Sequence, residues 1–163
     1  MSRFSTAEIP GKPGVYAFYE GERALWVGFG ENIRERVEHH LLQGEPMTSP
    51  GLSSSGNIDV RRVTKVVWWL HPEPAPADAL EAAWELAVRA LSPAMRPRYS
   101  INKAAGAHLE DESFVHRVRT AVEGRPDGVF IPQSLDTLTR MVVELEGKVE
   151  ALEARLDKSS DPN

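Results

Sequence analysis

The chain has 163 residues, 41% of them hydrophobic and 26% charged, with a formal net charge of −5 and no cysteine. That length holds one compact domain of about 100–150 residues and an appendage, and no apolar run approaches the roughly 20 residues of a membrane span, so a soluble protein without membrane contact is expected. The absence of cysteine excludes disulfides, thiolate zinc sites and cysteine nucleophiles, which leaves any metal site to hard ions held by oxygen.

The first 103 residues are balanced, with 12 basic and 12 acidic side chains, whereas the last 60 carry 7 and 12. The acid excess therefore belongs to the C-terminal part. The opening MSRFSTAEIPGKPG has no apolar segment followed by a small-residue cleavage pattern, so a cytoplasmic location is expected. From Gly14, Val15, Ala17 and Tyr19 alternate with Tyr16, Phe18 and Glu20, a turn falls at Glu20-Gly21-Glu22, and a second run covers Ala24 to Gly28. This predicts a β-hairpin. Ile33, Val37 and Leu41 then recur every four residues, which predicts an amphipathic helix over 31–42 with Arg36 and His40 sharing another face.

Residues 43–58, rich in Gly, Ser and Pro, predict an exposed loop placed to lie over a site. The β-branched and aromatic run TKVVWWL predicts a third strand over 64–70, ended by HPEPAP. A helix follows over 77–91, with Leu80, Trp84, Ala87, Val88 and Leu91 in one stripe and Glu81 and Glu85 one turn apart on its flank. SPAMRPRYSIN predicts an extended connection, 112–122 a short helix with Phe114, Val115, Val118 and Val122 inward, and EGRPDG a break. Two basic groups, Arg61, Arg62 and Lys65, and Arg96, Arg98 and Lys103, are suited either to phosphate contact or to a solvated surface.

The last segment has a different period. Leu135, Val142, Val149 and Leu156 occupy a positions, and Leu138, Leu145 and Leu152 occupy d positions. β-branched a residues with Leu at d favour parallel two-stranded coiled coils, and Lys148 at g faces Glu153 at the following e position of a partner. Ser134 is the expected N-cap and Asp136 suits the first turn. The alternative is a helix folded back on its own domain. The expected organisation is an α+β domain over 1–125, built on a small three-stranded antiparallel sheet flanked by helices, with a coiled-coil dimerisation helix over 133–158.

Gly14-Val15-Tyr16, nine residues, then Trp26-Val27-Gly28 and FGENIRERVEHH together resemble the GIY-YIG nuclease family. That family's pattern has two such tripeptides flanking a short hairpin and an arginine on the next helix. Arg36, eight residues after Gly28, matches the arginine, and His40 matches the histidine that several members carry four residues later. ADALEAAW resembles the context of the family's metal-binding glutamate and implies that Glu81 is the ligand. RPRYSIN offers Asn102 for the family's asparagine, with two residues inserted. The resemblance covers residues 12–103 and is carried by the joint order of the motifs, since each tripeptide alone is weak evidence.

What the resemblance implies is a divalent-metal-dependent endonuclease that hydrolyses DNA phosphodiester bonds with Mg²⁺ or Mn²⁺. Such chemistry needs an activated water, charge relief on the phosphate and a stabilised leaving oxygen. Glu81 then holds the metal, Arg36 grips a pair of non-bridging oxygens, His40 orients Tyr16 or the water, and Tyr16 positions or deprotonates the nucleophile. Trp26, Gly28, Arg61, Arg62 and Asn102 are the expected substrate-binding set.

Trp26 departs from the pattern, which has a second tyrosine there. An indole N–H donates a hydrogen bond but accepts no proton, so Tyr16 carries the hydroxyl chemistry alone. Taken singly, each residue also has a structural reading: Tyr16 as a strand aromatic, Arg36 as a solvated helix charge, Glu81 as a helix-face carboxylate, His40 as a helix-end cation. The alternatives to the enzyme are a DNA-binding module that has lost turnover and an interaction protein whose coiled coil is the functional part.

Overall fold

In the computed structural model, which describes residues 6–42, 59–71, 76–95, 101–131 and 135–160, the alternation from Gly14 forms strand β1 (Gly14–Glu20), and the chain turns into β2 (Arg23–Gly30). Gly21 makes the turn at φ +58°, in the left-handed region that a side chain disfavours. The pairing runs Phe18 opposite Trp26 and then Tyr19 opposite Ala24, so Leu25 is an extra residue on β2. This bulge breaks the alternation, and Leu25 and Trp26 both enter the same apolar cluster.

Helix α1 (Ile33–Leu41) starts where the Asn32 side chain accepts from the Glu35 N–H at 3.2 Å, slightly inside the expected bounds. The Arg34 Nε–H donates to the Ile9 carbonyl at 2.7 Å and ties the N-terminal segment to this helix. A single 3₁₀ turn (Val60–Arg62) leads into β3 (Lys65–Leu70), which pairs antiparallel with β1. Helix α2 (Ala77–Leu91) has the expected bounds. Beyond it lie α3 (Lys103–Leu109) and α4 (Glu112–Glu123). Asn102 caps α3 through the Ala105 N–H at 2.8 Å and Asp111 caps α4 through Ser113 and Phe114. The sequence reading carried no helix over 103–109, an alanine-rich stretch too short for its period to register.

The sheet has four strands, not the expected three. β4 (Asp127–Phe130) pairs antiparallel with β3 and gives the order β2-β1-β3-β4. This strand overlaps the stretch read as a break. Its four residues begin Asp-Gly, and what holds them is the hydrogen-bonding edge of β3, which no local pattern reveals.

The two faces of the sheet bury separate clusters. On one, Val15, Ala17, Val27 and Val67 pack against α2, α3 and α4; on the other, Tyr16, Phe18, Trp26, Val66 and Trp68 pack against Ile33 and Val37 of α1. Helix α2 buries nine of its 15 residues and carries Ala79, Ala82, Ala83 and Ala87 among them. Small side chains let it approach the sheet and two other helices closely.

The chain divides into two units, Met1–Pro132 and Gln133–Asn163. The second is helix α5 (Leu135–Ser159), along which every side chain from 142 to 160 is exposed. No helix among the described residues is long and apolar enough to cross a membrane. The expected loop over 43–58, Arg96, Arg98 and the Ser134 cap lie outside the described residues.

Candidate functional site

The hairpin register sets Tyr16 opposite Gly28, and a Cβ built on Gly28 would overlap the Cζ and Oη of Tyr16. The phenol therefore lies across the neighbouring strand, directly on the glycine. Two residues on, a Cβ at Gly30 would come within 2.9 Å of Arg36 Cγ. Residues i and i+2 of a strand share a face about 7 Å apart, so the Tyr16 phenol and the Arg36 stem occupy adjacent glycine seats on one surface of β2. Gly30 was not among the expected site residues; its signal in the sequence is the period-two spacing Gly28-Phe29-Gly30. Gly14, paired with Gly30 across the hairpin, plays a related part: a Cβ there would press on the Trp69 carbonyl and lie 2.7 Å from Ile33 Cδ1.

Three of the expected site residues are buried. His40 is 1% exposed and is enclosed by the rings of Tyr16, Phe18 and Trp26 at centroid distances of 6.4, 5.9 and 6.2 Å. In that shell the imidazole packs against the Tyr16 ring. Trp26 is a core side chain at 5% exposure and offers no face to a substrate. Tyr16 itself is 1% exposed, so its position is fixed by packing rather than by solvent.

Glu81 lies on α2, on the opposite face of the sheet, and is 8% exposed. Asn102 grips both of its oxygens: the backbone N–H donates to Oε1 at 3.3 Å and the side-chain Nδ2 donates to Oε2. Because the Asn102 Oδ1 is spent on capping α3, its side-chain amide is committed at both ends. Asn102 therefore positions Glu81. Among the described residues no group of three or more His, Asp or Glu side chains comes together. A metal at Glu81 would rest on a single protein carboxylate, as Mg²⁺ commonly does with waters completing its shell.

The two halves meet the same part of β2. Trp84, one turn beyond Glu81, donates its indole N–H to the Val27 carbonyl at 2.8 Å and packs on Phe29, between the two glycine seats, at 5.5 Å. Tyr16 and Arg36 thus meet this stretch from the α1 side, and Trp84, one turn from Glu81, from the α2 side. β2 is a terminal strand of the sheet.

The basic pair expected to meet phosphate is already engaged. Arg62 makes a two-point ion pair with Glu20 at 2.6 and 2.7 Å, and Arg61 hydrogen-bonds Asp59 at 2.9–3.2 Å, which raises its pKa. Lys65 sits 4.9 Å above the Tyr19 ring, whose hydroxyl pKa is raised by burial and then by Glu22. A phosphate at this edge has to compete with carboxylates already in place. No known protein family matches the chain, and no curated protein or solved structure is significantly similar to it.

Proposed function

We propose that the chain is a divalent-metal-dependent endonuclease of the GIY-YIG kind that hydrolyses DNA phosphodiester bonds and works as a parallel homodimer. The observation that carries this reading is the pair of glycine seats, because the side chains occupying them are the tyrosine and arginine of the motif pattern. Bound Mg²⁺ or Mn²⁺ supplies charge relief on the phosphate and a more acidic water. Arg36, half-buried at Gly30, offers a fixed guanidinium for two non-bridging oxygens. Glu81, held by Asn102, presents a carboxylate that loses little freedom on binding a cation.

The 1% exposure of Tyr16 favours a second reading, in which the fold is kept for DNA recognition and turnover is lost. Incubating the protein with Mg²⁺ or Mn²⁺ and labelled single-stranded, duplex, flapped and branched DNAs separates the two. Cutting that stops with EDTA and with Arg36→Ala supports the enzyme. Salt-sensitive binding without cutting transfers the proposal to the recognition module, and absence of both leaves the tail as the functional part.

The dimer is supported by the seam on α5, where Val142, Leu145, Val149, Leu152 and Leu156 are each 52–65% exposed. An antiparallel pairing would set Glu146 and Glu153 against each other, whereas the parallel one sets Lys148 against Glu153. Sedimentation of the full chain is expected to report a dimer that Leu145→Lys with Leu152→Lys converts to a monomer. A monomeric wild type at tens of micromolar would end this part of the proposal.

A further inference from the structure

A cavity of about 580 Å³ opens on the α2–α4 side of the sheet, within the first unit. Its floor is apolar and includes Val15, Trp69, Ala83, Phe114, Val118 and Val122. Well-packed domains leave few voids larger than a water molecule, and pockets that hold small organic ligands run about 300–1,000 Å³ with apolar walls and a few polar groups. Tyr16, Arg36, His40 and Glu81 take no part in its lining, so it is separate from the site proposed above.

The polar side of the cavity has a definite charge character. His71 and His108 flank the Phe114 ring at 6.3 and 5.1 Å. Two acidic groups lie nearby: Asp78 bonds the His108 Nε2 at 2.7 Å, which lowers the Asp78 pKa, and Asp111, which lines the cavity, caps α4 through its Oδ1. Arg117, which also lines the cavity, makes no ion pair among the described residues; its Nε–H reaches only the Ser113 carbonyl at 3.4 Å. The cavity thus combines a large apolar floor with a guanidinium, Arg117, that has no ion-pair partner among the described residues.

We infer that this cavity binds a small amphiphilic anion, an aromatic or branched apolar body bearing one carboxylate or sulfonate, with the body on Phe114 and Val118 and the anionic group toward Arg117. The inference is independent of the nuclease reading and does not need DNA or metal.

The test uses two fluorescent probes of nearly the same shape on the full chain. They are 8-anilinonaphthalene-1-sulfonate, which is anionic, and N-phenyl-1-naphthylamine, which is neutral. The anionic probe is expected to bind saturably at one per chain, and Arg117→Gln to weaken it about tenfold, the scale of one charge-assisted hydrogen bond, while the neutral probe is unaffected. Val118→Phe, which fills the cavity, is expected to abolish binding of both without lowering the melting temperature. Non-saturable binding, binding insensitive to Val118→Phe in a protein that still melts cooperatively, or equal weakening of both probes by Arg117→Gln would overturn the proposal.

Discussion

On the proposed nuclease reading, Asn102→Ala is expected to lower metal-dependent cleavage by about ten- to a hundredfold, the usual effect of removing the group that orients a metal ligand, and Glu81→Gln to abolish it. The Asn102 side chain does two separable things. Its Oδ1 caps α3, and its Nδ2 holds Glu81 Oε2. Losing a cap costs about 0.5–2 kcal/mol, and losing a hydrogen bond to a largely buried carboxylate about 1.5–3 kcal/mol. Asn102→Ala is therefore expected to destabilise the first unit by about 2–5 kcal/mol in denaturant titration.

Asn102→Ser separates the two roles, because serine caps as well as asparagine but is too short to reach Glu81. It is expected to recover the capping part of the stability and little of the activity. Glu81→Gln has its own signature: both carboxylate oxygens accept from Asn102 donors, and an amide can accept from only one of them. Activity of Asn102→Ser equal to that of wild type would show that Glu81 needs no clamp, and the assignment of Asn102 would fall.

Gly28→Ala is expected to cost about 1–3 kcal/mol, the range for overpacking a close-fitted core, and so to lower the melting temperature by roughly 3–10 °C. The added methyl meets the Tyr16 ring, whose 1% exposure leaves it no space to retreat into. Gly106→Ala supplies the control. Its Cβ would meet nothing within 4 Å and it lies inside α3, so the same chemical change there is expected to stabilise by up to about 1 kcal/mol through helix propensity. Replacing Tyr16 by Leu should absorb part of the Gly28→Ala penalty, since residues in contact do not contribute additively. Equal melting temperatures for Gly28→Ala and wild type would mean that the phenol does not rest on this glycine.

Much of the architecture was legible from periodicity. The hairpin from Gly14, the strand of β-branched and aromatic residues ending at Leu70, and α2 with its bounds at Ala77 and Leu91 each bury a repeating apolar set, and burial is what their spacing encodes. Elements whose stability comes from neighbours were not legible. β4 exists because β3 presents an unpaired edge, and α3 because Asn102 caps a seven-residue alanine-rich turn against α2.

The same division holds for the candidate site. Residue types and their order pointed to Tyr16, Gly28, Arg36, His40, Glu81 and Asn102 as one set, which is as far as a linear pattern reaches. Only the fold decided that Tyr16 and Arg36 sit side by side on glycines of β2, that His40 and Trp26 belong to the core, that Arg61 and Arg62 are held by Asp59 and Glu20, and that Asn102 serves Glu81. The reason is physical. A side chain's type and spacing determine what it can do, but exposure and partners depend on which segments the fold brings together, as with Glu81 and Asn102 or Glu20 and Arg62.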